Sequence, residues 1–310
     1  MTISAKVIAD SVTTSGERLT TFQLKYPRFI HAEFMTHRTF SRNASSSRAI
    51  PVKRQIEAIL EDPAMPVHWG KNQRGMQADG EHSADVVIKP EYHPQGEYAG
   101  STETGLICDG PVSAWHEALE NAVAVARAFD EAGYHKQVVN RILEPFAHIN
   151  VVVTASYYGN FFALRRHADA QPEIKVLADV MWEALSASDP AKLEPRDWHL
   201  PYVSDEDIYG ILQRNAIPTA GIPIDPWTMM MIKVSVARCA RVSYMTHDGA
   251  RPTVDADMAL YDRLVGSVPL HASPAEHQAR VQEVPDPLMC GNLSPAWMQY
   301  RKTLPHENAE

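Results

Sequence analysis

Hydrophobic and polar positions alternate near the start of the chain. Phe22, Leu24 and Tyr26 are separated by single polar residues, which is the period of a half-buried strand. We therefore predict a strand over residues 18 to 26. Pro27 is expected to end it, because proline has no amide hydrogen to donate to a neighbouring strand.

The next segment changes from the strand period to a helical one. Between residues 29 and 39 the apolar side chains recur at helix-like spacing, which predicts a short helix with His37 and Arg38 at or just past its end. The polar run from 41 to 48 is predicted to be a loop.

The middle of the chain carries the clearest periodicity. Residues 112 to 143 are amphipathic, with a break at Gly133 and a stop at Pro145, and predict two consecutive helices. The β-branched run INVVVTA, residues 149 to 155, predicts a buried strand.

The remaining segments differ in how much they reveal. Residues 157 to 185 fit helical faces, with Pro172 at a first turn or a kink, and 254 to 266 predict another helix. Residues 186 to 228 are rich in Pro and Asp and are expected to be irregular. Residues 51 to 110 are rich in Gly, His, Pro and charge with weak periodicity, which indicates an insertion or lid.

The order of these elements favours one α+β domain over residues 1 to 310. Helices and strands mix without regular βαβ alternation, and the chain shows no internal repeat. With 45% hydrophobic residues, 310 residues can bury a sizeable core.

Charge, cysteines and hydropathy exclude several classes of protein. The formal net charge of −9 argues against binding a nucleic-acid polymer, which needs a basic stripe. Cys108, Cys239 and Cys290 are far apart and predict reduced thiols in a cytoplasmic protein. We expect neither an export signal nor a membrane span, because no apolar stretch approaches about 20 residues.

The densest polar cluster is T-H-R-T-F-S-R-N-A-S-S-S-R, residues 36 to 48. Its arginines, histidine, asparagine and hydroxyls suit phosphates and the amide-like edges of a ring. A solvated loop is the alternative reading of the same composition.

This cluster resembles the RHR-x7-S motif of the flavin-dependent thymidylate synthases. The residues kept in register are His37, Arg38, Ser41, Asn43, Ser46 and Arg48. The chain departs from the motif at Thr36, Ala44 and Ala49, where the family has arginine, glutamate and tyrosine.

A second resemblance lies in the helical region. Residues 133 to 145 resemble the family's helix ending in R-x-x-L-P, and residues 160 to 174 resemble its N-F-x-x-L-R…A-Q-x-E-I helix. The resemblance implies that Arg141 binds nucleotide, Asn160 binds flavin and Arg165 faces the pyrimidine ring. Taken alone, Arg165 would be read as a surface arginine of a helix.

A third resemblance is out of order along the chain. Residues 271 to 277, HASPAEH, resemble the family's H-x-T-P-F-E-H phrase, and residues 240 to 244 resemble its A-R-V-S-[FY] phrase. Both phrases normally precede the RHR motif, so residues 229 to 280 are interpreted as the family's N-terminal segment in a circularly permuted chain. His271 and His277 could instead be metal ligands, but no third ligand supports a metal site.

The resemblance implies an antiparallel sheet flanked by helices, and a homotetramer with shared active sites. It also implies FAD as cofactor and methylenetetrahydrofolate and NADPH as co-substrates. The nucleotide-binding residues would be Glu33, Ser46, Ser47, Arg48, Arg141 and Arg165, with Arg165 and Ser46 catalytic. The cofactor-binding residues would be Thr36, His37, Arg38, Asn43, Asn160, His271, Ser273 and Glu276.

The reaction implied is one-carbon transfer to C5 of a pyrimidine deoxynucleotide, with dUMP favoured. The permuted order and the altered motif favour a phage-like variant that hydroxymethylates over one that methylates. Glu33, where glutamine is usual in the family, leaves dCMP open as substrate. The alternative from another functional class is a non-catalytic protein that binds flavin or nucleotide.

The C-terminal tail is expected to be packed against the rest of the protein and is assigned no role. Its residues with ring-stacking or polar side chains are Asn292, Trp297, Gln299, Tyr300 and Arg301.

Overall fold

The computed structural model describes residues 2–75, 78, 80–89, 92, 105–214, 224–242, 252–267, 269–305 and 307. Ser243 and Tyr244 of the A-R-V-S-[FY] resemblance, and most of residues 90 to 104, lie outside this range. The strands described are β1 Ser4–Thr13, β2 Arg18–Pro27, β3 Ser41–Ala44, β4 Val86–Ile88, β5 Leu106–Cys108, β6 His148–Ala155, β7 Ala191–Leu193, β8 Trp198–His199, β9 Ala279–Val281 and β10 Trp297–Gln299. The α-helices described are α1 His31–Phe34, α2 Val52–Glu61, α3 Gly110–Glu131, α4 Lys136–Leu143, α5 Gly159–Arg165, α6 Pro172–Ser186, α7 Asp205–Leu212, α8 Pro226–Ala240 and α9 Val254–Val265.

The main sheet has the strand order β3-β6-β2-β1-β7. Its pairs are antiparallel except for β1 with β7, which is parallel. The largest apolar core lies between this sheet and α1, α5 and α6, and Phe22, Phe161 and Leu177 are fully buried in it. The predicted α+β class, with an antiparallel sheet flanked by helices, is confirmed.

Several boundaries predicted from the sequence are also confirmed. Strand β2 ends at Pro27 and β6 covers the β-branched run. Gly133 adopts a φ of 82° just past the end of α3, a left-handed conformation that glycine adopts without steric cost. Pro172 is in the first turn of α6, where the side chain of Gln171 accepts a hydrogen bond from the Ile174 amide at 3.0 Å.

The prediction of a loop over residues 41 to 48 is wrong in its first half. Ser41 to Ala44 form β3, an edge strand paired with Val151 to Thr154 of β6. Its side chains are mostly polar, so the sequence carries no alternating apolar signal. Strand pairing uses backbone amides and carbonyls, which such a sequence offers equally well.

The prediction of irregular structure over 186 to 228 is wrong in part, and residues 51 to 110, to which the sequence analysis assigned no helix or strand, contain helix α2. Helix α2 packs Val52, Ile56 and Ile59 against α3 and α4, at a helical spacing that the sequence contains. Strands β7 and β8 and helix α7 lie in the range 186 to 228. Helix α7 begins with a capping box in which Ser204 and Asp207 cap each other's backbone amides.

Strand β1 was not predicted, although it is an inner strand of the main sheet, between β2 and the edge strand β7. The three cysteines are buried free thiols, as expected. Among the described residues, no helix combines the length and the apolar character needed to cross a bilayer.

Candidate functional site

The polar cluster of residues 36 to 48, called the polar motif below, begins with a turn that lies between two buried aromatic residues. Phe34 and Phe40 have ring centroids 5.9 Å apart, and both contact Phe161 of α5. Because these rings are buried, the intervening Thr36 to Thr39 turn is held at the end of α5. The local fold therefore presents the motif side chains to the last residue of that helix.

That last residue, Arg165, joins three motif side chains. Its Nε donates to Nε2 of His37 at 3.0 Å, its Nη2 donates to Oγ1 of Thr36 at 3.3 Å, and its Nη1 is ion-paired with the Glu33 carboxylate. Only 18% of the Arg165 side chain is exposed. A planar guanidinium held by three acceptors has a defined orientation.

The charge state of His37 follows from this contact. Burial, and then the positive charges of Arg165 and Arg42, lower the pKa of His37 to about 4. The imidazole is therefore neutral near pH 7, with its proton on Nδ1, so that Nε2 can accept from Arg165.

Arg165 and Glu33 line a cavity of about 990 Å³. Its walls include the aromatic side chains of Phe29 and Trp115, together with residues from 66 to 78 and from 163 to 173. The segment predicted to be an insertion thus contributes one wall of this cavity. The buried Glu173 carboxylate holds that wall by accepting the Val67 amide at 2.7 Å.

Two smaller pockets are also lined by residues of the motif. One, of about 270 Å³, is lined by His37, Asn160 and aromatic residues. The other, of about 370 Å³, is lined by Arg38, Glu276 and further charged residues. The two pockets adjoin, because both have Phe40 and Asn292 in their walls.

The HASPAEH phrase packs against strand β3. A 3₁₀ helix, Ser273–Glu276, places the Ser273 hydroxyl where it donates to Oδ1 of Asn43 at 3.0 Å. Nδ2 of Asn43 donates in turn to the Cys239 carbonyl at the end of α8, at 2.8 Å. The HASPAEH phrase and the last turn of α8 therefore both contact strand β3 through Asn43.

The nucleotide-binding candidates after β3 lie elsewhere. Ser47 donates to the Glu144 carboxylate at 2.8 Å, and the loop that contains it packs against α4, where Arg141 lies. Ser46, Arg48 and Arg141 are exposed. None of these four candidates lines the cavity that contains Arg165.

The two histidines of the HASPAEH phrase are in different environments. His271 is exposed, whereas His277 is fully buried, with its Nδ1 hydrogen-bonded to Oγ1 of Thr154 at 2.8 Å. Within the described part of the chain, no group of three or more His, Cys, Asp or Glu residues could hold a metal ion.

The tail is packed, as expected, but part of it reaches the site, which the sequence analysis missed. Trp297 and Tyr300 are buried, while Asn292, Gln299 and Arg301 contact the polar motif and Glu276. No periodicity connects residues about 250 positions apart. The mixture of amide and guanidinium groups in the tail was the only signal available.

The site combines a guanidinium at a large cavity with a basic pocket and an aromatic pocket, a set of groups that suits an anionic ligand with a flat ring. A family model described as thymidylate synthase complementing protein matches residues 17–191. The chain therefore belongs to that family, the flavin-dependent thymidylate synthases, and the family predicted from the motifs is confirmed.

Solved structures with similarity to the chain have low sequence identity. A UMP/dUMP methylase PolB from Streptomyces cacaoi, bound with 5-Br dUMP, is 17% identical over 60% of this chain and 90% of its own, with a TM-score of 0.41. Thymidylate synthase X from Helicobacter pylori, with FAD and dUMP, is 17% identical over 54% of this chain and 67% of its own, with a TM-score of 0.34. At these TM-scores we base no inference on either structure. No functionally curated protein matches the chain.

Proposed function

We propose that this protein transfers a one-carbon unit from methylenetetrahydrofolate to C5 of a pyrimidine deoxynucleotide, with dUMP as the favoured substrate, FAD as the cofactor and NADPH as the reductant. Family membership supports the reaction class. The observation that carries the proposal is the convergence of Glu33, Thr36 and His37 on Arg165 at the wall of the large cavity.

Arg165 is the residue to which we assign the main electrostatic role. C5 of uracil is a poor nucleophile, and a cation beside N3 and O4 stabilises the anionic ring that is needed for attack. The contacts with Glu33, Thr36 and His37 hold the guanidinium in place before the nucleotide binds. Since His37 is neutral, it orients Arg165 without adding a second positive charge.

Ser46, Ser47, Arg48 and Arg141 are proposed to bind the nucleotide, with Ser46 also acting on the reacting base. Within one chain these residues do not line the cavity that contains Arg165. We therefore propose that a second copy of the chain supplies them, in a homotetramer with shared active sites.

Shared sites can be tested by mixing two inactive variants. Arg48→Gln and Arg165→Gln are each expected to lose activity alone. If sites are shared, a mixed oligomer contains some sites with both arginines and regains part of the activity. No recovery in a mixture shown by native mass spectrometry to contain both variants would exclude this arrangement.

The residues present fit a flavin. The basic pocket with Arg38 suits phosphates, and the adjoining pocket has aromatic walls and the Asn160 amide, which suit a flat ring with polar edges. We assign Thr36, His37, Arg38, Asn43, Asn160, His271, Ser273 and Glu276 to this cofactor site. When bound and reduced by NADPH, the flavin would supply the two electrons that the methyl product requires; the hydroxymethyl product forms with water, releases tetrahydrofolate and consumes no reductant, so NADPH would then serve only to keep the flavin reduced.

The product that we propose is the hydroxymethyl nucleotide rather than the methyl nucleotide. Capture of the carbon by water gives hydroxymethyl, and water exclusion favours hydride delivery. The cavity beside Arg165 is large and carries polar groups of Glu33, His68, Gln171 and Glu173, so water can occupy it. The Glu33 carboxylate can also accept a hydrogen bond from the exocyclic amino group of cytosine. We therefore keep dCMP as an alternative substrate.

The decisive experiment is turnover with dUMP, methylenetetrahydrofolate and NADPH, followed by mass spectrometry of the nucleotide. A hydroxymethyl product supports the full proposal, and a methyl product alone refutes the hydroxymethyl assignment. A parallel reaction with dCMP decides the base. A protein that binds flavin but whose flavin absorbance does not bleach with NADPH would be the non-catalytic alternative.

The domain organisation stays a proposal as well. We propose a single catalytic domain in which residues 51 to 110 are an insertion and residues 229 to 280 are the permuted N-terminal segment of the family. The contact between Ser273 and Asn43 supports this assignment. An alignment of homologues with both chain orders would test it.

A further inference from the structure

The C-terminal segment Gly291–Lys302 forms one wall of the basic pocket next to the polar motif. The pocket is lined by four basic side chains and two carboxylates, which leaves a formal excess of two positive charges in a chain whose net charge is −9. These charged residues are Arg38, Arg42, Arg301, Lys302, Glu276 and Glu307. A local basic excess on an acidic protein indicates a site for an anion.

The basic groups of the pocket differ in how they are paired. Arg301 is ion-paired with Glu276, and Lys302 with Glu307 at 2.5 Å. Arg42 donates instead to backbone carbonyls, one of them that of His37 at 3.0 Å. Within the described residues, neither Arg38 nor Arg42 forms an ion pair. The positive charge available to a ligand is therefore that of these two arginines, and the tail cations offset the two carboxylates.

The tail also holds the motif in place through a buried polar cluster. Gln299, 2% exposed, donates to Oδ1 of Asn292 at 2.8 Å, to Oγ of Ser41 at 3.2 Å and to the Glu276 carbonyl at 3.0 Å. Nδ2 of Asn292 donates to the Thr39 carbonyl at 2.8 Å. One cluster thus connects the polar motif, the HASPAEH phrase and the tail.

The backbone of the tail is shaped for this close approach. Gly291 has a φ of 60°, and a Cβ at this position would lie 2.2 Å from Oε1 of Gln299. A side chain here would displace the buried amide. Glycine at this point therefore favours both the left-handed turn and the position of Gln299 in the cluster.

From these contacts we propose that the segment Gly291–Lys302, which lies outside the region matched by the family model, completes the binding site for the phosphates of the flavin nucleotide. The inference rests on the flavin dependence proposed above. Phosphate oxygens are bound strongly by arginine forks, and the basic pocket adjoins the aromatic pocket through Phe40 and Asn292. With its phosphates in the basic pocket, the flavin nucleotide would have its ring system within reach of the aromatic pocket.

Two charge variants test the proposal in the full-length protein. Arg301→Gln and Lys302→Gln each remove a cation that offsets a carboxylate of the pocket. We expect each to weaken FAD binding roughly tenfold, the size of one lost charge-assisted interaction. Riboflavin, which has no phosphate, should bind with unchanged affinity. Arg196→Gln is the matched control, because Arg196 pairs with Glu283 on another surface.

Binding is measured by quenching of flavin fluorescence, with inorganic pyrophosphate as a competitor, and folding by thermal unfolding. The proposal is supported if the variants lose affinity for FAD and pyrophosphate but not for riboflavin, at a Tm equal to that of the control. It is overturned if FAD affinity is unchanged, or if riboflavin and FAD weaken equally, because the tail would then be only structural. A wild-type protein that binds neither FAD nor pyrophosphate also overturns it.

The outcome is separable from that of the proposed function. If the variants lose FAD affinity while the wild-type protein transfers no carbon to dUMP, the phosphate site stands and the reaction does not. If carbon transfer occurs and the variants bind FAD normally, the reaction stands and the role of the tail does not.

Discussion

The protein should lose stability at mildly acidic pH because of a buried chain of hydrogen bonds through its main sheet. His199 contacts Ser11 at 2.9 Å and Thr21 at 2.8 Å, Thr21 contacts Thr154 at 2.7 Å, and Thr154 contacts His277 at 2.8 Å. Both histidines are at most 1% exposed. The perturbation we propose is a change of pH from about 7.5 to about 5, which crosses the ordinary pKa of histidine.

The magnitude follows from the pKa values. Burial lowers the pKa of His199 and of His277 from 6.5 to about 3. Below about pH 6.5 the unfolded chain binds protons that the folded chain does not, so stability is present above that pH and falls as the pH drops towards 3. At pH 5 each histidine should reduce the free energy of unfolding by about 2 kcal/mol, or about 4 kcal/mol together.

Two further histidines act in the same direction as His199 and His277. The pKa values of His37 and His148 are also lowered by burial, to about 4, and act with the same sign. Glu276 acts with the opposite sign, because burial raises the pKa of its carboxyl, and this one group offsets only part of the effect of the histidines. The other carboxylates titrate in the unfolded chain near pH 4, below this window. The value of about 4 kcal/mol is therefore a lower estimate for the whole protein.

The assay is urea unfolding at several pH values, followed by circular dichroism. His277→Gln should reduce the change in the free energy of unfolding between pH 7.5 and 5 by about 2 kcal/mol, the contribution of one buried histidine. His167→Gln should leave it unchanged, because the His167 side chain is 64% exposed. If the free energy of unfolding of the wild-type protein changes by less than about 1 kcal/mol between pH 7.5 and 5, the buried histidines are not held neutral and the reasoning is refuted.

Three further predictions follow from individual contacts. Arg165→Lys keeps the positive charge but loses the planar, forked guanidinium, so kcat for nucleotide turnover should fall on the order of a hundredfold. An unchanged kcat would contradict the role of the guanidinium. Arg238→Met removes the buried guanidinium that pairs with the carboxylates of Asp207 and Asp257 and should lower the free energy of unfolding by about 3–5 kcal/mol, measured with guanidinium chloride. Arg214→Met, which removes an exposed ion pair with Asp255, should lower it much less; equal losses would show that burial is not the cause. Glu173→Ala removes the acceptor of the Val67 amide and should accelerate limited proteolysis near that residue, while unchanged cleavage would mean that other contacts hold this wall.

Much of the local structure could be predicted from the sequence because it depends on neighbours along the chain. The alternation in β2, the β-branched run of β6 and the stop at Pro145 each act within a few residues. Strand β3 could not be predicted in this way, because its polar side chains carry no period and its pairing with β6 is decided by backbone groups about 110 positions further on.

The candidate site could likewise be predicted only in part. The motif resemblance selected His37, Arg165 and Ser273 before any contact was known. The roles of Asn292 and Gln299 were not predicted, because each acts on residues about 250 positions earlier in the chain. Contacts at that separation leave no spacing pattern in a single sequence.

The sequence by itself thus determined the family, the composition of the polar motif and the helices and strands with strong periodicity. Only the tertiary structure decided that Arg165 meets Glu33 and His37, that Glu173 holds a wall of the large cavity, and that the tail joins the basic pocket. The physical reason is that periodicity reports which face of an element is buried, whereas a site depends on which buried faces pack together.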